Sequence, residues 1–326
     1  MIFIEKNTKR ILAGIGAAAG VVTAAGLTIY RTATALVSLA LDRKISPGMA
    51  RAKEKVSGNS DRSAFLQAVE QAAQKLRQVD CEEIHITAQD GISLTGHWRP
   101  CADAKRTIIA VHGWRSSWAD DFGLISNFWY ENSCNVLYIE QRGQNSSGGD
   151  YMGFGMLERY DCLDWARWVN GQCGTGLPLY LVGVSMGAAS VLMASGLSLP
   201  PNVCGIIADC GYTSAHEIWK HIVKNNLHLS YDLLHSTADT LCKKKIHVEA
   251  DSYSTLDALR ENTIPVLLIH GTDDRFVPVE MTYENYQACT APKRLLIVPG
   301  ADHAMSYYTE PRRYEAALRD FWSEFC

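Results

Sequence analysis

No basic stripe, glycine-rich phosphate loop or paired-cysteine metal motif interrupts this chain of 326 residues. Its 31 Lys and Arg against 35 Asp and Glu leave a formal charge of −4, so the electrostatic footprint of a nucleic-acid binder is missing. There is no internal repeat, and no long low-complexity tract apart from an Ala- and Gly-rich start, which excludes solenoids and disordered arrays. Five histidines, His216, His221, His228, His235 and His247, crowd one region. Their spacings are not those of zinc ligands, and surface or packing roles are expected for them. Nothing in the pattern calls for a metal or a cofactor.

What is present is enough apolar material for one large core: 47% of residues are hydrophobic and 20% charged. Residues 83–88 and 92–98, separated by Asp90-Gly91, alternate like an antiparallel hairpin that opens a sheet. Beyond them come short continuous apolar runs at 107–111, 135–139, 179–182, 203–208, 264–269 and 295–298, each separated by helical patterns. Such runs are strands buried on both faces, so a mostly parallel α/β sheet with helices on each side is expected.

The run Leu179-Tyr180-Leu181-Val182 feeds into Gly183-Val184-Ser185-Met186-Gly187 and then the helix former Ala188-Ala189-Ser190-Val191. A serine between two glycines at a strand-to-helix junction is a nucleophile elbow, in which the turn is tight enough to strain the serine backbone. This turn would hold the Ser185 hydroxyl above the sheet and aim the Met186 N–H at an incoming carbonyl oxygen. A neutral hydroxyl is a poor nucleophile and needs a base and an orienting acid. Downstream, the strand 264–269 runs into a polar turn bearing Asp273 and Asp274, and the strand 295–298 into a loop that ends on His303. His303 is the expected base. Asp209, at the end of the strand 203–208, and Asp302 are further carboxylates within the same pattern, with Asp302 expected to cap a turn.

These segments together resemble an α/β-hydrolase, in particular the membrane-associated, Bem46-like serine hydrolases often filed with serine aminopeptidases. The pattern HGxxDxxVP, here His270-Gly271-Thr272-Asp273-Asp274-Arg275-Phe276-Val277-Pro278, places the acid on Asp274. The pattern G-x-x-H falls on Gly300-Ala301-Asp302-His303 and again gives the base. The loop His112-Gly113-Trp114 matches the family's HGW, which implies the Trp114 N–H as a second oxyanion donor beside Met186. The segment Arg142-Gly143-Gln144-Asn145-Ser146-Ser147 carries asparagine where the family has glycine, and His112 and His270 are expected to tie loops together. The resemblance also implies a helical lid over about residues 211–262, whose Trp219 and Leu233 would govern which acyl group enters, within an α/β-hydrolase domain spanning 81–326. The implied function is hydrolysis of a carboxylic ester, thioester or small amide of a small or lipid-like acyl substrate. A slow or non-catalytic binding or sensory protein on the same fold is the alternative.

At the N-terminus, Ile11 to Tyr30 is uncharged and apolar over about 20 residues, enough for a transmembrane helix. A second apolar stretch, Thr32 to Leu41, is expected in the membrane interface. Residues 1–44 thus read as a membrane anchor that takes no part in the chemistry. Residues 45–80 read as a linker, with Phe65, Val69, Ala72, Leu76 and Val79 marking an amphipathic helix. Basic residues flank the apolar run on both sides, so charge does not set its orientation. The ten cysteines lack framework spacing and are expected to be reduced, which favours a catalytic domain in the reducing cytoplasm or, alternatively, at an anaerobic exterior.

Overall fold

A computed structural model describes residues 26–45, 62–174 and 176–325. The eight strands are β1 (Glu82–Thr87), β2 (Ser93–Arg99), β3 (Arg106–Val111), β4 (Cys134–Ile139), β5 (Leu179–Val184), β6 (Val203–Asp209), β7 (Val266–Gly271) and β8 (Lys293–Val298). They form one sheet in the order β1-β2-β4-β3-β5-β6-β7-β8. The β1/β2 and β2/β4 pairs are antiparallel and all others parallel. β3, β4 and β5 are apolar and buried along almost their whole length, because each is covered on both faces. On one face, the Ser63–Arg77 and Pro311–Glu324 helices bury Leu76, Leu318 and Phe321 against Ile108, Tyr138 and Tyr180. On the other, the Glu158–Cys173 and Met186–Ala194 helices bury Trp165, Val191 and Leu192 against Ile109, Leu137 and Leu181. The expected amphipathic helix is the Ser63–Arg77 helix, with Phe65 and Leu76 buried.

A third apolar cluster stands apart from the sheet and joins the N-terminal segment to the chain between β6 and β7. That later stretch folds as the Ala215–His221 helix, a π turn at Ile222–Asn226, a short turn at Tyr231–Leu233 and the His235–Ile246 helix. The Thr255–Glu261 helix then returns to the sheet, its start fixed by a Ser254/Asp257 capping box.

Two expectations are corrected here. The run expected to lie in a membrane interface is instead helical over residues 26–41 and docks on the protein, with Ala33, Val37, Leu39 and Leu41 buried. An apolar stripe satisfies itself equally against lipid or against another apolar helix, and here the chain between β6 and β7 supplies the second surface. The helix end is fastened as well: Asp42 pairs with Lys245 at 2.6 Å and bridges to Tyr151. The earlier apolar residues, 11–25, lie outside the described residues, and no helix among the described residues is long and apolar enough to cross a membrane. Cysteine chemistry is the second correction: among the described residues eight cysteines are free, but Cys204 is disulfide-bonded. Sequence spacing carries no sign of a single bridge among unpaired thiols.

Candidate active site

Ser185, Trp114, Asp274 and His303 all lie just beyond the C-terminal ends of parallel strands, where open α/β sheets place their ligands. Ser185 has φ 55° and ψ −117°, a conformation that costs a non-glycine residue on the order of 1–3 kcal/mol and persists only when its surroundings enforce it. The surroundings do so through two glycines. A methyl group at Gly183 would run into Gly187 O, and one at Gly187 into Val111 O. The Ser185 N–H is held by Asp209 O at 2.9 Å, and the Met186 N–H opens the following helix at its positive end.

The structure brings Ser185, His303 and Asp274 together in a line. The Ser185 hydroxyl lies 2.9 Å from His303 Nε2, and His303 Nδ1 lies 2.7 Å from Asp274 Oδ2. Asp274 Oδ1 accepts from the Phe276 and Val277 N–H groups at 2.9 and 2.8 Å. A second histidine faces the same carboxylate: His270 Nε2 is 3.1 Å from Asp274 Oδ2 and 2.9 Å from Val277 O. Both partners of this nitrogen are acceptors, so it carries the proton and its Nδ1 accepts from the Thr282 hydroxyl at 2.6 Å. Burial opposes a charge on Asp274, but His303 and His270 outweigh it and hold the carboxyl well below the ordinary carboxylate range. Asp274 is therefore ionised at neutral pH.

The competing carboxylates fall elsewhere. Asp302 accepts the His303 N–H at 2.8 Å and caps the turn. Asp273 is exposed and takes the Thr272 hydroxyl. Asp209 is buried under the elbow, accepts from Ser306 at 2.9 Å, and is pushed up to about 6 by burial, against the smaller opposing effects of Ser306 and the two histidines. Cys210 Sγ lies within 4.8 Å of possible ligand atoms on Asp274 and His303. Burial, and after it the nearby Asp209 and Asp274, push that thiol well above its ordinary value, so it stays protonated at neutral pH.

The loop after β3 is pinned on both sides of Trp114. The Gly113 N–H donates to Asp121 Oδ2 at 2.6 Å and the Arg115 N–H to Gln144 Oε1 at 2.5 Å, which fixes the direction of the intervening Trp114 N–H. His112 is buried and its pKa is lowered by that burial. As a neutral ring it donates from Nδ1 to Gly113 O at 2.8 Å and accepts the Gln141 N–H on Nε2 at 3.1 Å. Asn145 has φ 47°, a left-handed conformation that asparagine tolerates nearly as glycine does, so its place in this loop costs little.

Several members of the site carry no sequence signal that marked them. The Trp114 indole donates to Ala40 O at 2.9 Å, and the Arg115 guanidinium donates to Leu39 O at 2.8 Å and Asp42 O at 2.5 Å. Residues 39–42 are thus fastened to the loop beside the serine, in contrast to the expectation that everything before residue 45 stands apart from the site. In the segment expected as a lid, Trp219 is buried but Leu233 is 64% exposed, so of the two only Trp219 faces the interior. Among the crowded histidines, His216 meets the Tyr231 hydroxyl at 3.2 Å, His235 the Asp232 carbonyl, and His247 ends a helix at φ 62°.

Residues 108–317 match the model of the alpha/beta hydrolase family. Protein YqkD of Bacillus subtilis is 25% identical over 248 residues, which cover 76% of this chain and 81% of that protein. Protein YfhR of Salmonella typhimurium is 28% identical over 257 residues, with the same coverage of 76% and 81%. Among solved structures, the Pyrococcus furiosus esterase Pf2001 superposes with a TM-score of 0.62 at 20% identity, over 82% of this chain and 95% of that one, a likeness of fold.

Proposed function

The chain belongs to the alpha/beta hydrolase family, and on that premise we propose that it is a serine hydrolase cleaving a carboxylic ester, thioester or small amide through an acyl-enzyme on Ser185. The observation that carries this reading is the hydrogen-bonded line from the Ser185 hydroxyl through His303 to an ionised Asp274. In the first half-reaction His303 Nε2 takes the hydroxyl proton as Ser185 Oγ bonds to the acyl carbon. It then gives that proton to the leaving group as the tetrahedral centre collapses. Water repeats the sequence and frees Ser185. Asp274 keeps Nδ1–H oriented and offsets the charge of the transient imidazolium. The Met186 and Trp114 N–H groups act on the oxyanion, each at a value of about 10²–10³ in rate.

Within the family, the His112-Gly113-Trp114 loop, the HGxxDxxVP segment and the apolar N-terminal run support a Bem46-like or serine-aminopeptidase-like assignment. The esterase named among the fold neighbours supports the ester as the first substrate to try. The same reading attaches the enzyme to a membrane through the uncharged run from Ile11 to Tyr30, and full-length protein that resists carbonate extraction is the expected result.

A fluorophosphonate probe tests the nucleophile: the natural protein is labelled and Ser185→Ala is not. Equal labelling of both proteins removes Ser185 from the role.

A further inference from the structure

Ser185 stands at the meeting point of two clefts of opposite character. One is narrow, about 60 Å³, and is lined by apolar and aromatic side chains apart from Ser185 itself. The other, of about 470 Å³, is wider and includes Arg62, Glu70, Arg115 and Asp120. Trp114 and Phe276, stacked at 6.4 Å, border both, whereas His303 lines only the second. That asymmetry assigns the two halves of a substrate. The base must return its proton to the leaving group, so the leaving group has to sit on the side that His303 lines. The acyl portion then has only the apolar cleft to enter.

One wall of that apolar cleft comes from an unexpected place. Ala33, Leu36, Val37 and Ala40 line it, at the spacing of one helical face. The lid supplies the opposite wall, through Trp219 and Leu234 among others. We infer that the helix over residues 26–41 and the lid together form the subsite for an aliphatic acyl chain, with a polar leaving group held in the wide cleft beside His303. The occupant is an acyl chain because the lining offers apolar contact and almost no exposed polar atoms, so a polar group placed there would lose its water without compensation. The N-terminal helix is therefore a specificity element as well as a link to whatever precedes it. Each further methylene buried in this cleft should raise kcat/KM about fourfold, until the cleft is filled.

This inference rests on Ser185 being the acylated residue, and the test separates the two. Full-length protein is assayed on p-nitrophenyl acetate, octanoate and palmitate. Leu36→Trp, which fills the cleft from the helix side, should lower the ratio of octanoate to acetate kcat/KM by about tenfold or more. Leu36→Ala, which removes volume and introduces no clash, should instead move the preference toward palmitate, and so keeps the question answerable if the tryptophan variant fails to fold. A natural protein that hydrolyses these esters with ratios unmoved in Leu36→Ala and in folded Leu36→Trp overturns the acyl subsite and leaves the nucleophile standing. A natural protein that is neither labelled at Ser185 nor active on any ester overturns the serine-hydrolase reading, and the subsite with it.

Discussion

Two buried carboxylates flank His303, one at the end of β6 and one just past β7, and they are in opposite electrostatic condition. Asp209 is 4% and Asp274 8% exposed, so both have lost most of their water. Asp274 faces two backbone N–H groups and two imidazole rings, and it is held well below the ordinary range. Asp209 accepts hydroxyl hydrogen bonds, chiefly from Ser306, and is pushed up to about 6. Burial alone raises any carboxylate, so the number and charge of the donors turned toward it decide which one stays ionised. Which of the two carboxylates carries a charge that could offset an imidazolium is thus set by its surroundings and not by its nearness to the histidine.

That contrast can be broken first by amide replacement. Asp274→Asn should lower kcat by about 10³ to 10⁴, because the ring then loses both its tautomer and its counter-charge. Asp209→Asn should cost less than about tenfold, and steady-state kinetics showing the reverse order would end the distinction. Stability sharpens it next. A carboxyl raised from 3.8 to about 6 binds more protons folded than unfolded between those values, so its contribution falls as pH rises through that interval. Asp209→Asn removes the penalty, and denaturant titrations should show it more stable than the natural protein by up to about 3 kcal/mol above pH 6. Below about pH 4 the two should agree.

Asp274 has the opposite sign. Its stabilisation is fully present above the ordinary carboxylate value and is lost as pH falls below it. His270→Phe deletes one donor to that carboxylate and should cost about 2 kcal/mol at neutral pH. The difference should shrink on acidification as Asp274 protonates in both proteins, and a difference that does not change with pH would mean that His270 serves only to pack. The smallest effect is expected at Thr282→Val, where His270 Nδ1 loses its hydroxyl partner while Nε2 keeps both of its acceptors. A loss of about 1 kcal/mol, read as about fivefold in kcat, is the expected outcome.

How much of this could be read in advance follows from how local each determinant is. The elbow was legible because Gly183, Ser185 and Gly187 and the strand and helix around them sit within one short stretch, Leu179 to Ala194. The sheet was legible for the same reason, each strand being a continuous apolar run with turn residues at its ends. The choice between Asp209 and Asp274 required donors from His270, Phe276 and Val277 turned onto one oxygen pair, and only the resemblance supplied it from sequence. The helix over 26–41 was not legible: Ala33, Leu36, Val37 and Ala40 make the same pattern whether lipid or a lid covers them. Leu233 and Trp219 were equivalent as apolar residues of a lid, but the fold turns one outward and the other into the cleft. Arg115 and Asp42 bind across distances in sequence that no local pattern reports.

The bond between Asp42 and Lys245 spans 203 residues, and in the order of synthesis that span is an interval of time. At 5–20 residues per second, about 10 to 40 s separate the two ends of this pair on the ribosome. For most of that interval the helix that will wall the cleft has been made while its lid has not. Its Ala33 and Val37 side, buried in the finished protein, must be sheltered by something else or stay wet. The first described helix of the chain is therefore among the last to find its packing partners, and the cleft beside Ser185 closes only once chain production has passed the lid.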